Sequence, residues 1–347
     1  MGSQYIYLVL ICMSFEKFGI LGDDCSKQCR VSRTHGMKSY DCYNKDLRFF
    51  PKCVPSDVEI VELSTNRIRK VSRSDLSQFS YLKILYLKDN LLVTLQNDTF
   101  ADLDSLRVLD LSQNSIKVLP SSIFTLPSLK KLYLSQNSEL NWADSLENVK
   151  PVLSPISSID ISNISDEMNV IDFPDFGPMP YLQFLNISEN KYKVLTPRHF
   201  AGLCSVKVLI NINVSNNFEN SCDCWIINNW LLQRKVQFNP FICPGIESEC
   251  FQRKPKNVDG DIYNKCLEVK DALEKETRLK KIIIGTGVSV LIILIVLIFL
   301  YFYCIRNRRN NEDRSRMKVN CPLYAPPSGP LLSNIQTNDT KTSIDNL

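Results

Sequence analysis

The sequence predicts an α/β solenoid, closed at both ends by disulfide caps and followed by one membrane-crossing helix and a disordered tail. Three observations carry that expectation: an apolar template recurring at a near-constant period from residue 58 onward, ten cysteines placed at and beyond its two ends, and an uncharged apolar run from Ile282 to Ile305. Charge excludes one class of partner. A formal net charge of +4 over 347 residues is too small to argue for nucleic acid.

The chain opens on a short apolar stretch, Tyr5 to Phe15, read as the core of a signal peptide spanning 1-22 with cleavage between Gly19 and Asp24. No basic residue precedes it and Glu16-Lys17 follow it, so an uncleaved anchor is the alternative. Residues 23-57 form the N-terminal cap, holding Cys25, Cys29, Cys42 and Cys53.

Residues 58-216 are the repeats. The template apolar-x-x-apolar-x-apolar-x-x-Asn-x-apolar reads Val58-Val61-Leu63-Asn66-Ile68, Leu82-Leu85-Leu87-Asn90-Leu92, Leu106-Leu109-Leu111-Asn114-Ile116, and Leu129-Leu132-Leu134-Asn137 with Leu140 one place late. It continues as Leu182-Leu185-Ile187-Asn190-Tyr192 and Leu209-Ile212-Val214-Asn217, and Ile156-Ile159-Ile161 is a degenerate copy with Ile164 where Asn belongs. The first four starts lie 23 or 24 residues apart, the period and signature of leucine-rich repeats. The two apolar residues around a single x point inward from a strand of period two, and the Asn amide can satisfy backbone groups of adjacent coils that water cannot reach. Leu76 and Phe79, Phe100 and Leu103, Phe124 and Leu126, and Phe200 and Leu203 mark the return segments as core.

Residues 217-267 form the C-terminal cap, with Cys222, Cys224, Cys243, Cys250 and Cys266; Cys204 in the last return makes the total even. Disulfides fit better than zinc, because Cys222-Asp-Cys224 lacks the usual two-to-four-residue gap and His35 and His199 are the only histidines. After a stalk at 268-281, the 24 residues of 282-305 are long enough to cross about 30 Å of hydrocarbon. The tail, 306-347, is rich in Asn, Ser, Pro and charge and is expected to be disordered. Sequons at Asn97, Asn163, Asn186 and Asn213 all precede the span, which with the cysteine caps orients the chain as a type I plasma-membrane protein.

Two stretches carry a family resemblance. DCYNKDLRFFPKCVPSDVEIVELSTNRI, ending at Ile68, is similar to the N-terminal cap and first repeat of Toll-like receptors and related leucine-rich repeat proteins, and NNFENSCDCWIINNWL, Asn216 to Leu231, resembles the start of their C-terminal cap. The resemblance covers about residues 25 to 266. It implies a curved parallel sheet on a concave face, recognition of extracellular proteins or microbial products, and the pairs Cys222-Cys243 and Cys224-Cys266, leaving Cys250 for Cys204. N-terminal connectivity stays open. Toll-like receptors carry a cytoplasmic Toll/interleukin-1 receptor domain, whereas 42 residues follow the span here. The resemblance therefore implies an accessory or decoy receptor, with a Toll-like receptor or a second copy as membrane partner; a cell-adhesion protein pairing between cells is the alternative.

Nothing in the sequence supports catalysis. Neither histidine neighbours a nucleophile, Gly285-Thr-Gly287 lies inside the apolar run, and no cofactor or metal site is expected. Ligand binding is assigned to residues alternating with the inward pairs: Ile60 and Glu62, Ile84, Tyr86 and Lys88, Val108 and Asp110, Lys131, Tyr133 and Ser135, Phe184 and Asn186, and Asn211 and Asn213. Within that set Tyr86, Lys88, Asp110, Lys131 and Tyr133 form the expected ligand patch, and sugars on Asn186 and Asn213 would shield the C-terminal half.

Overall fold

The computed structural model describes residues 29–319, apart from 147, 148, 150, 151, 166–168, 246 and 251–256. The signal-peptide stretch, Cys25 and the tail beyond 319 lie outside the described residues. The chain divides into two units, Met1–Lys275 and Glu276–Leu347.

In the first unit a hairpin, β1 (Arg30–Thr34) and β2 (Met37–Asp41), begins a sheet that continues strictly in parallel. It runs through β3 (Ile60–Glu62), β4 (Ile84–Tyr86), β5 (Val108–Asp110), β6 (Lys131–Tyr133), β7 (Ser158–Asp160), β8 (Phe184–Asn186) and, past β9 (Lys191–Leu195), to β10 (Val208–Ile210). The strand β9 pairs instead with β11 (Ser215–Phe218) in a second sheet. This is a leucine-rich repeat solenoid. Each inward pair is sealed: Leu85, Leu87, Leu109, Leu111, Leu132 and Leu134 are fully buried, each worth about 1.5–3 kcal/mol in transfer from water. All eight return residues named from the sequence are buried too. Ile156, Ile159 and Ile161 are core, and β7 takes its place between β6 and β8, so the degenerate segment is a true coil.

The asparagines bond as expected. Asn114 Oδ1 accepts from Leu92 N–H at 3.0 Å while its Nδ2 donates to the carbonyls of Leu87 and Leu111, both at 3.0 Å. Asn66, Asn90, Asn137 and Asn190 repeat the pattern. The coil with Ile164 finds another solution: Leu140 N–H turns back to the Asn137 carbonyl, and Asn169 Nδ2 donates to the Ser138 carbonyl at 2.6 Å. Just before each Asn position the backbone is left-handed, at Thr65, Asp89, Gln113, Gln136, Asn163, Glu189 and Asn213, with φ from 52° to 59°. None is glycine. A conformation uncommon for such residues thus recurs seven times, because it turns the strand end so that the next side chain faces the core.

The final repeat departs from the expected register by three residues. Leu209 pairs with Leu185 in the middle of the strand, so Val206, Leu209 and Asn211 occupy the template's apolar positions, while Ile212 is 51% exposed and Asn217 is exposed. Asn211 is tolerated inside because it exchanges two hydrogen bonds with the Asn239 backbone at 2.7 and 3.0 Å.

Short helices close the returns and the cap: α1 (Arg73–Leu76), α2 (Trp142–Leu146), α3 (Pro197–Ala201), α4 (Ser221–Gln233) and α5 (Glu247–Cys250), followed by the long α6 (Asn257–Val319). At α3 the Thr196 N–H donates to His199 Nδ1 at 3.2 Å, and the imidazole stacks on Phe173 with ring centres 5.2 Å apart. Burial holds His199 below the ordinary imidazole value, against the opposing pull of Asp175. A folded value below the unfolded one gives stability that is present above about pH 6.5 and is lost as pH falls through the folded value. Protonated Nδ1 cannot accept, so acidification is expected to remove this cap, worth about 1 kcal/mol. Thermal denaturation at pH 7.5 and pH 5 checks it: His199→Gln, which keeps an acceptor, should flatten part of the pH dependence, and an unchanged slope would dismiss the role.

The cap disulfides are Cys204–Cys266, Cys222–Cys250 and Cys224–Cys243, which replace all three pairs implied by the resemblance. Local geometry gives the reason. Asn228, one turn beyond Cys224 on α4, accepts from Phe241 N–H and donates to the Phe241 carbonyl, which carries Cys243 onto the face of Cys224. Cys266 on α6 reaches the last return, its Sγ 3.0 Å from the Gly202 carbonyl. At the other end Cys29 pairs with Cys42, and Cys53 is disulfide-bonded as well.

In the second unit, α6 contains the one segment among the described residues long and apolar enough to cross a membrane. Its apolar side chains are exposed, as at Ile283 (59%) and Phe299 (71%), so it is not a core helix. The helix begins before the expected stalk and continues to Val319, taking in 306–319 from the expected tail. No proline interrupts the chain from 282 until Pro322, and the residues before a proline are disfavoured in a helix.

Candidate functional site

Because successive strand residues alternate sides, the two that flank each inward residue stand on the outer face of the sheet. Strand register aligns them into two columns. The first reads Ser39, Ile60, Ile84, Val108, Lys131, Ser158, Phe184, Val208, and the second Asp41, Glu62, Tyr86, Asp110, Tyr133, Asp160, Asn186, Ile210. Neighbours in a column are about 4.8 Å apart along the sheet. One column is mainly apolar; the other alternates carboxylates with phenols.

Tyr86, Asp110 and Tyr133 therefore stand side by side on three consecutive strands, all half-buried. Lys131 lies on the same strand as Tyr133 but in the first column, and Lys88 projects from the turn after Leu87, so both lysines flank the phenols and both are exposed. Asn186 belongs to the second column as expected, whereas Asn213 sits in the left-handed turn and Asn211 points inward; Val208 and Ile210 hold the outer positions instead. Ile60 is only 5% exposed and leaves the open face. Asn97, Asn163 and Asn213 are exposed on other parts of the surface.

Sequence reasoning passed over Asp41 and Asp160. Asp41 lies in the cap hairpin, which gives no repeat signal, and Asp160 lies in the degenerate coil. The spacing between starts would have found the last register, since Val206 follows Leu182 by 24 residues and Leu209 by 27.

The acidic residues have a local structural task. Asp41, Glu62, Asp110 and Asp160 each accept the backbone N–H two residues on, at 3.0, 2.7, 2.9 and 3.0 Å, and Asn186 does the same for Ser188 at 3.1 Å. That bond turns the chain out of the strand. Their charges have no cationic partner among the described residues. Burial, followed by repulsion from Asp41 and Asp110, pushes the Glu62 carboxyl above its ordinary value despite the Ser64 hydrogen bond. Burial, then Glu62 and Asp110, raise the Tyr86 phenol, and burial with Asp110 and Asp160 raises Tyr133. The column is thus a line of negative potential with aromatic rings set into it.

Comparison with known proteins places the repeats in context. The leucine rich repeat family model matches residues 56–116 and 80–138. The chain is similar to the platelet glycoprotein Ib alpha chain of Mus musculus, 37% identical over 109 residues, which are 31% of this chain and 15% of that protein. It is similar to Tsukushi of Gallus gallus, 28% identical over 187 residues, 53% of this chain and 50% of the relative. Leucine-rich repeat-containing protein 3 of Danio rerio is 29% identical over 120 residues, 34% and 43% of the two chains. The chain spans half or less of the length of each relative.

Proposed function

We propose that the protein is a single-pass receptor of the cell surface that binds an extracellular protein on the outer face of its parallel sheet. The observation that carries this reading is the placement of Tyr86 and Tyr133 on either side of Asp110, two half-buried phenols on rigid, adjacent strands. Tyr is enriched at binding hot spots because it offers a large amphipathic surface at low entropic cost. The cap disulfides support an oxidising compartment, the apolar part of α6 supports a membrane anchor, and relatedness to a platelet glycoprotein supports exposure to the outside. Catalysis has no support in the sequence, where neither His35 nor His199 lies near a plausible nucleophile.

The finer assignment, an accessory or decoy partner of Toll-like receptors, rests on the resemblance of the caps. Its test is co-capture of a Toll-like receptor by the full-length protein on cells.

The main reading is tested by cross-linking extracellular proteins to the full-length chain on cells, then measuring the affinity of what is retained. Tyr86→Ala together with Tyr133→Ala is expected to weaken that binding by more than about 1 kcal/mol, roughly fivefold, with normal surface display. Unchanged binding would move the site to an edge, a cap or the opposite side. Aggregation of expressing cells, lost in the same double variant, would assign the face to pairing between cells.

A further inference from the structure

On the premise that this face is the ligand surface, we propose that its partner is a protein presenting a basic edge beside an apolar stripe. Its cations would meet Glu62, Asp110 and Asp160, and its apolar groups would cover Ile84 and Val108. The argument starts from which acids are neutralised. Elsewhere on the first unit, several acidic side chains find cations: Asp57 with Lys38, Glu59 with Lys83, Asp102 with Arg73, and Asp172 with Lys193. Among the described residues, none of the carboxylates of the second column does. They repel each other across the sheet, and Tyr86 and Tyr133 between them offer ring faces that also attract cations. Bringing a positive group there relieves the repulsion and gains both contacts at once.

The apolar column supplies the second half of the complementarity. Ile84 and Val108 are adjacent, half-buried and immediately beside Tyr86 and Asp110 on the same two strands. Lys131 is the one cation in either column, and Arg107 and Lys130 stand exposed one residue before their strands. Charge therefore runs from positive at the N-terminal rim to mainly negative at the strand ends, where Lys88 in the turn after β4 is the exposed exception. A uniformly basic partner would meet repulsion at that rim, whereas one with cations along a single edge would not. Spacing gives the period. Glu62, Asp110 and Asp160 lie on alternate strands, about 10 Å apart, close to the advance of seven residues along an α-helix at about 1.5 Å each.

The turn-closing bonds make a clean test possible. Asn186 performs the same turn contact without charge, so Asp110→Asn and Asp160→Asn remove charge and keep the backbone acceptor. The probe is an amphipathic helical peptide with Lys at every seventh residue beside a Leu stripe, and its twin with Glu replacing each Lys. Each is titrated by fluorescence anisotropy against the full-length protein in detergent micelles. The Lys peptide is expected to bind at least about tenfold more tightly than the Glu twin, to weaken as salt rises, and to lose at least about fivefold to Asp110→Asn/Asp160→Asn with an unchanged melting temperature. Absence of Lys-peptide binding, equal binding of the twin, or indifference to the double Asn variant would each overturn the proposal. If the Tyr86→Ala/Tyr133→Ala variant loses the cross-linked protein while the double Asn variant keeps it, the receptor reading stands and the charge chemistry falls. If neither variant loses it, the face itself is wrong.

Discussion

Replacing Asn114 with Ala is expected to destabilise the solenoid by about 2–4 kcal/mol and to reduce the yield of folded protein. The side chain is 7% exposed and joins its own coil to the one before it. Its three acceptor carbonyls each keep another donor, since Leu87 also accepts from Asn90, Leu111 from Asn137 and Ser112 from the Asp89 N–H. The N–H of Leu92 keeps none, and a buried unpaired donor costs about 1–3 kcal/mol before the space left by the amide is counted. Asn114→Asp should be worse than Ala, although it preserves the acceptor for Leu92: a buried carboxylate would face the carbonyls of Leu87, Leu111 and Ser112. Lys117→Ala is the reference, because its ion pair with Glu139 is exposed on both sides and worth little. Chemical denaturation of the three variants checks the order. An Asn114→Ala variant as stable as Lys117→Ala would remove the amide series from the account of what holds the coils together.

The same asparagine explains why so much of this fold is legible in sequence. A residue needed every coil, flanked by apolar residues that must face inward, leaves a fixed period wherever the coil is intact. The period fails where structure substitutes another solution. Ile164 lacks the amide, so Ile156-Ile159-Ile161 reads only as a degenerate copy, and the sequence does not announce Asp160, between its inward pair, as part of the face. Asn211 is polar at an inward position because the cap backbone at Asn239 satisfies it, a long-range contact that misplaced the last register and with it the outer positions of Val208 and Ile210. The candidate patch was partly legible for the same reason. Tyr86, Asp110 and Tyr133 follow from period two within intact coils, but the continuity of negative charge from Asp41 to Asp160 depends on a cap hairpin and a degenerate coil joining the sheet. Disulfide partners were least legible, because spacing along the chain says nothing about which face of α4 meets the segment around Phe241.

Removing Cys204 and Cys266 together, as Ser, is expected to cost roughly 4 kcal/mol, the larger of the measurable cap effects. The bond spans 62 residues, against 19 for Cys224–Cys243, and the entropy withheld from the unfolded chain grows with the logarithm of loop length, giving roughly 3 kcal/mol for the shorter loop. The longer tie also has a specific structural task. It fastens the start of α6 to the last return, where Cys266 is fully buried and Tyr263 packs edge-on against Trp230 with ring centres 5.5 Å apart. Arg234 lies over both rings, 3.5 and 4.1 Å from their centres. Without the disulfide those contacts must hold the helix start by themselves, so the double variant should melt earlier than the Cys224→Ser/Cys243→Ser variant and become more protease-sensitive around residue 257. Peptide mapping without reduction decides the premise directly. Recovery of Cys204 linked to Cys250 and of Cys224 linked to Cys266 would restore the pairing implied by the resemblance, and each double variant would then break two bonds instead of one, which removes the comparison of a 62-residue loop with a 19-residue one.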